Sequence, residues 1–177
     1  MFNVKVNVKI DLKPLEKYIK ILTTSGQTGF DQIMIKWVVR YKKYALAQFN
    51  QNSKGGGIWP PLKLPIRKHV KKRSRQILRD SDTLRRTLDP VPTLDKNPRP
   101  GIVTNRQSKG VVIGFGGGGS HPYAKLSVAR LAIVHHLGLG RVPVRSILIS
   151  PTEEIKRRMV QDVKDVANKT KRDQGLL

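Results

Sequence analysis

The sequence predicts an α+β domain: a small, mostly antiparallel sheet packed with several helices and carrying long Pro/Gly-rich loops. Three observations lead there. Short stretches at 2–10, 102–104 and 111–115 alternate or run apolar as strands do. Longer stretches repeat their apolar residues at helical spacing. Prolines gather in two segments, 52–66 and 89–100, where neither helix nor strand can continue. At 177 residues the chain fits one domain over 1–170, with a frayed polar tail over 171–177.

Phe2, Val4, Val6, Val8 and Ile10 lie on one side of an alternating strand, with Asn3, Lys5, Asn7 and Lys9 on the other. A short helix over about 12–22 follows, broken at Ser25-Gly26. Thr28 and Asp31 resemble a capping box that opens a long helix to about Asn50, with Ile33, Met34, Trp37, Val38, Tyr41, Ala45 and Phe49 on its core stripe. Residues 52–66 are then an extended loop. Ser81–Leu88 reads as a short helix, and 89–100 as a second irregular stretch. Ile102–Thr104 and Val111–Phe115 form a hairpin through the turn residues 105–110. After the glycine stretch 116–119, a helix over 124–137 ends at Gly138. Arg141–Ile149 is extended. Ser150-Pro151-Thr152-Glu153 starts the last helix with Ser150 as cap, and Ile155, Met159, Val163 and Val166 form its stripe. Loops as long as 52–66 and 89–100 are unusual in a compact domain and suit binding arms that order against a partner.

The formal charge is +23, from 35 Lys and Arg against 12 Asp and Glu, which points to an anionic partner. Phosphate neutralisation would make that partner nucleic acid; acidic faces of neighbouring subunits would answer the charge equally well. The absence of cysteine excludes disulfides and thiolate metal sites. No apolar run approaches a membrane span, and the alternating start lacks the continuous apolar stretch of a signal peptide. The expectation is a soluble chain that stays in the cell that makes it.

Catalytic and cofactor patterns fail one by one. Gly114-Phe115-Gly116 with Gly119 matches G-x-G-x-x-G only formally, since His121-Pro122 replaces a helix start and no acidic residue follows at the ribose spacing. No Gly-Lys-Ser or Gly-Lys-Thr occurs. His69, His121, His135 and His136 lack metal-ligand spacing, and the adjacent pair belongs on different helix faces. Asp80, Asp82 and Asp89 are too few for a metal-dependent nuclease. The expectation is no enzyme, no cofactor and no metal. The basic run contains Arg67, Lys71 and Arg75, four apart and so one positive stripe if helical, able to grip phosphates or to meet an acidic neighbour. With aromatics at 6% and none in this run, stacking on single strands is disfavoured.

Four segments resemble the phage virion morphogenesis family, also called tail completion proteins. Gly57-Ile58-Trp59-Pro60-Pro61-Leu62 is similar to its Gly-x-Trp-x-Pro-Leu element. Residues 77–88 are similar to its I-L-x-D-T-G-x-L-x-x-S segment, with Asp82 where the family often has Gly. Ala132–Gly138 resembles A-x-x-H-Q-F-G, and Arg141–Ser150 resembles the closing R-I-P-A-R-P-F-L-G-L-S, followed by a C-terminal helix. The segments keep the family's order over about 55–165.

The resemblance implies a structural virion protein of a tailed bacteriophage, a neck or tail completion component. It implies a homo-oligomeric ring, a hexamer, around the DNA channel. It also implies contacts with the tail terminator and connector, no membrane, and assembly in the host cytoplasm. The partner-interface candidates are then Trp59, Pro60, Pro61, Arg67, Lys71, Arg75, Arg141 and Arg145. Trp59 is open to two readings, an exposed anchor for a neighbour or a side chain tucked into its own core. The alternative function is sequence-independent binding of nucleic acid by the basic surface.

Overall fold

The chain is mixed α and β and mostly helical. The computed structural model describes residues 5–6, 15–24, 27–61, 77–78, 82–90, 101–107, 110–116, 119–122 and 126–175. Their elements are β1 (Lys5–Val6), α1 (Glu16–Thr24), α2 (Gln27–Ser53), α3 (Thr83–Arg86), β2 (Gly101–Gln107), β3 (Gly110–Gly116), α4 (Val128–Leu137) and α5 (Glu153–Asp173).

The strands run in the order β1-β3-β2, all antiparallel. In the hairpin Ile102 faces Phe115, Arg106 faces Val111 and Gln107 faces Gly110. Strand pairing therefore takes up Asn105–Gln107 and Gly110 of the expected six-residue turn; positions 108–109 lie outside the described residues. On the other edge Lys5 pairs with Gly114 and Val6 with Ile113. The rest of the strand expected over 2–10 lies outside the described residues.

The helices move several boundaries. α1 spans Glu16–Thr24, against the 12–22 expected; positions 12–14 lie outside the described residues. α2 already includes Gln27, so Thr28 lies inside the helix and is not its cap; positions 25–26, between α1 and α2, lie outside the described residues. At its other end α2 continues to Ser53, past Asn50 and into the stretch expected as loop.

α3 is shorter than expected. Its N-cap Asp82 has a left-handed backbone, φ 56°, and makes no side-chain capping bond. Aspartate tolerates that region better than most residues, and glycine best.

α4 starts at Val128, later than position 124, because Ser127 is the cap and accepts from the Arg130 amide at 3.2 Å. α5 is capped by Thr152, not Ser150: the Thr152 hydroxyl accepts from the Ile155 amide at 3.4 Å. Ser150 precedes a proline, which favours extended backbone, and its carbonyl accepts from the Tyr44 hydroxyl at 3.3 Å, which holds it out of the helix. Glu153 and Glu154 then place negative charge in the first turn, where the helix dipole favours it. The helix runs through Asp173, beyond Lys171 where the tail was expected to begin.

α2 is the spine. Its Val38, Tyr41, Ala45 and Phe49 face a main core shared with Trp59, Leu84, Leu88, Ile113, Phe115, Val128, Ala132, Ile147, Leu148 and Met159. Nearer its start, Ile33 joins a second core with Leu15 and Leu22 of the α1 region and Val163, Val166 and Ala167 of α5. Trp37 packs against both cores, and its indole N–H donates to the Met159 carbonyl at 2.9 Å. Beside it, Arg40 makes a two-pronged pair with the buried Asp162, at 2.9 and 2.7 Å. Together these bonds fix α5 on α2.

Candidate functional site

The four segments that carry the sequence resemblance converge on one corner of the fold. α3 packs against α4, and α4 ends against the segment 141–150. The Arg145 amide donates to the His135 carbonyl at 2.7 Å, and the Ile147 amide donates to His136 Nδ1 at 3.0 Å. From the other side the Trp59 indole N–H donates to the Ser146 carbonyl at 3.1 Å. Tyr41 adds a donor to the Ile149 carbonyl at 3.0 Å. The stretch 141–149, expected as an extended segment, joins no strand among those described; Arg141 lies in a turn and 147–148 in a bend, and side chains of α2, α4 and Trp59 together with the His135 carbonyl bond its backbone in place of a ladder.

Two glycines set this corner. α2 closes with the Ile58 amide donating to Asn52 Oδ1 at 2.7 Å, and a Cβ at Gly57 would overlap that Asn52 side chain. Gly138 ends α4 with φ 67°, and a Cβ there would lie 2.6 Å from Val144 Cγ2 and 3.0 Å from the Val144 amide nitrogen. Gly138→Ala therefore combines left-handed strain with overlap against backbone. We expect a loss of about 2–3 kcal/mol, read from urea unfolding; a change below about 0.5 kcal/mol would show that 142–144 moves aside freely.

The result is a cleft of about 430 Å³ lined by Pro60, Pro61, Gly140, Arg141, Val142, Pro143 and Arg145. Four of the expected interface residues thus meet: Pro60, Pro61 and Arg141 on the exposed rim, and Arg145 buried at 5% exposure. Trp59 does not belong with them. It is 4% exposed and packs edge-on against Phe49, ring centroids 5.0 Å apart. The reading of Trp59 as an exposed anchor is corrected: its large apolar surface and its single donor both find partners in its own subunit. The described part of the 52–66 loop is consequently pinned down at Trp59, while the neighbouring Ile58 projects at 83% exposure. Arg67, Lys71 and Arg75 lie outside the described residues.

The electrostatics centre on Arg145 and the His pair. Burial lowers the Arg145 pKa from its usual value, and its Nε, fully buried, has no acceptor. Burial and the nearby Arg145 charge together push His135 down to about 4, and burial also lowers His136. His136 lies edge-on to Phe115, centroids 5.2 Å apart. From sequence the two histidines were placed on different helix faces without metal-ligand spacing, and their hold on 145–147 had no sequence signal.

The sign of the pH effect follows. A histidine depressed in the folded state binds its proton more readily when unfolded, so stability is complete above about pH 6.5 and falls as pH drops toward 4. The full difference corresponds to roughly 3 kcal/mol at ~1.4 kcal/mol per unit, reduced to about 2 by the partial exposure of the ring. Chemical denaturation from pH 7.5 to 4.5 should show that decline, and His135→Gln should flatten most of it. Parallel pH curves for the two proteins would refute the assignment.

Gly114 and Gly116 are β3 residues paired to β2, not parts of a phosphate loop. Among the described residues no group of three His, Asp or Glu is placed to hold a metal ion, and no helix is long and apolar enough to cross a membrane. No family model, curated protein or solved structure matches this chain.

Proposed function

We propose that this chain is a structural assembly protein of a tailed-phage neck or tail end, a tail completion component that joins tail to head through protein–protein contacts. One observation carries the reading: three of the four segments that resemble the virion morphogenesis family, distant in sequence, are tied together by the Trp59–Ser146, Arg145–His135 and Ile147–His136 bonds, and the fourth packs on them through α3 against α4. Asp82 adds to it, since the position where the family often has Gly takes a left-handed backbone here. The three paired strands are read as the small antiparallel sheet of an α+β domain. In this reading the subunit forms a ring around the DNA channel, works without catalysis or cofactor, and meets the tail terminator and connector. Deleting it from the phage that encodes it should leave filled heads and finished tails unjoined in electron micrographs. Joined, infectious particles without the protein would end the proposal.

The charge of +23 favours a second reading, sequence-independent binding of nucleic acid. A salt titration with duplex DNA separates the two. A steep loss of tight binding with salt supports the nucleic-acid reading, and absence of binding at physiological salt removes it.

A further inference from the structure

We propose that the cleft between Pro60-Pro61 and residues 140–145 receives a carboxylate side chain, flanked by apolar residues, from a partner protein. The inference rests on reading the chain as a protein-binding subunit and names the chemistry of its partner.

Arg145 is the starting point. A buried guanidinium is costly unless its charge is paired and its N–H groups are bonded. This fold shows how it meets that requirement when it supplies the acid itself: Arg40, less buried than Arg145, holds Asp162 with two bonds of 2.9 and 2.7 Å. Arg145 is 5% exposed, its Nε has no acceptor, and no carboxylate of the described residues bonds to it. Yet it helps to line an open cleft, and a small shift of the side chain would bring its buried Nε edge within reach of an outside group. The fork of Nε and Nη matches the two oxygens of a carboxylate.

The walls select the source of that carboxylate. Pro60, Pro61, Val142 and Pro143 offer apolar surface, and Val144 at 55% and Ile58 at 83% exposure extend it beside the cleft. A nucleic-acid phosphate keeps its water and gains nothing from such walls. An acidic side chain between apolar neighbours gains from both the guanidinium and the burial of its flanks. The volume of about 430 Å³ has room for such a side chain with part of a neighbour. Arg141, exposed at the rim, adds positive charge that steers an acidic segment inward.

The test uses the full chain and two blocked pentapeptides, Ser-Leu-Glu-Val-Ser and its Gln counterpart, titrated by ¹H–¹⁵N NMR. The Arg145 Nε–H signal should move with the Glu peptide, and that peptide should bind about tenfold more tightly than the Gln peptide. Arg145→Met should abolish the preference, with its folding checked by circular dichroism. Should that variant not fold, the Glu–Gln comparison on the unchanged protein still decides. Equal binding of the two peptides, or an unmoved Nε–H signal, overturns the proposal. So does a response to inorganic phosphate or a short DNA duplex with none to the Glu peptide. Such a failure would leave the deletion phenotype intact, whereas normal particles without the chain would remove the assembly role while leaving peptide binding in place.

Discussion

Trp59→Ala is expected to lower stability by about 3–5 kcal/mol, the range for removing a large aromatic from a packed core. The side chain is 4% exposed, meets Phe49 edge-on and donates to the Ser146 carbonyl, so the substitution opens a cavity and leaves that carbonyl without its donor. For a chain of this length the midpoint of thermal unfolding should fall by roughly 10 °C. Trp59→Phe keeps most of the ring volume and loses the donor, and should cost nearer 1 kcal/mol. Equal small losses for both would mean that Trp59 is not the pin between the 52–61 stretch and the 141–150 segment. The cleft should follow the pin: in Trp59→Ala the resonances of Pro60 to Pro61 and 141–145 should broaden together.

Asp162→Ala is the second large effect, about 2 kcal/mol, because it removes the buried partner of a half-buried ion pair and leaves the Arg40 guanidinium with only the Asp165 charge of α5. The asymmetry gives the check. Removing both charges, Arg40→Met with Asp162→Ala, should cost less than Asp162→Ala alone plus Arg40→Met alone, with a coupling of at least ~1 kcal/mol in a denaturation cycle. Additive losses would show that the pair contributes no more than two unrelated surface charges.

Much of the helical core was legible in the residues. Ile33, Met34, Val38, Tyr41, Ala45 and Phe49 follow a helical period and are all buried, as are Met159, Val163 and Val166 of α5. The two β strands of the hairpin and the stop at Gly138 were also local signals, carried by apolar runs and by the one residue type that takes φ 67° at little cost. Pro60, Pro61, Arg141 and Arg145 were singled out one by one, but that they share a cleft was not readable, since the Trp59–Ser146 bond and the shared core that bring these distant stretches together leave no local signal.

Three readings changed for reasons outside their own neighbourhood. Ser150 looks like a better cap than Thr152 until the Tyr44 hydroxyl takes its carbonyl. The Gly/Pro stretch after α2 looks like a free arm until Phe49 and Ser146 receive Trp59. Arg145 looks like a surface cation until α4 and its own segment fold around it.

The sequence alone determined the elements whose periodicity and caps are local, because backbone preference and amphipathic spacing act over a few residues. The burial of Trp59, the enclosure of Arg145 and the cleft between them were decided only in the tertiary structure. They depend on which donors, acceptors and apolar faces meet across some 90 positions, Trp59 to Ser146 being 87 apart, and no short window of residues contains that information.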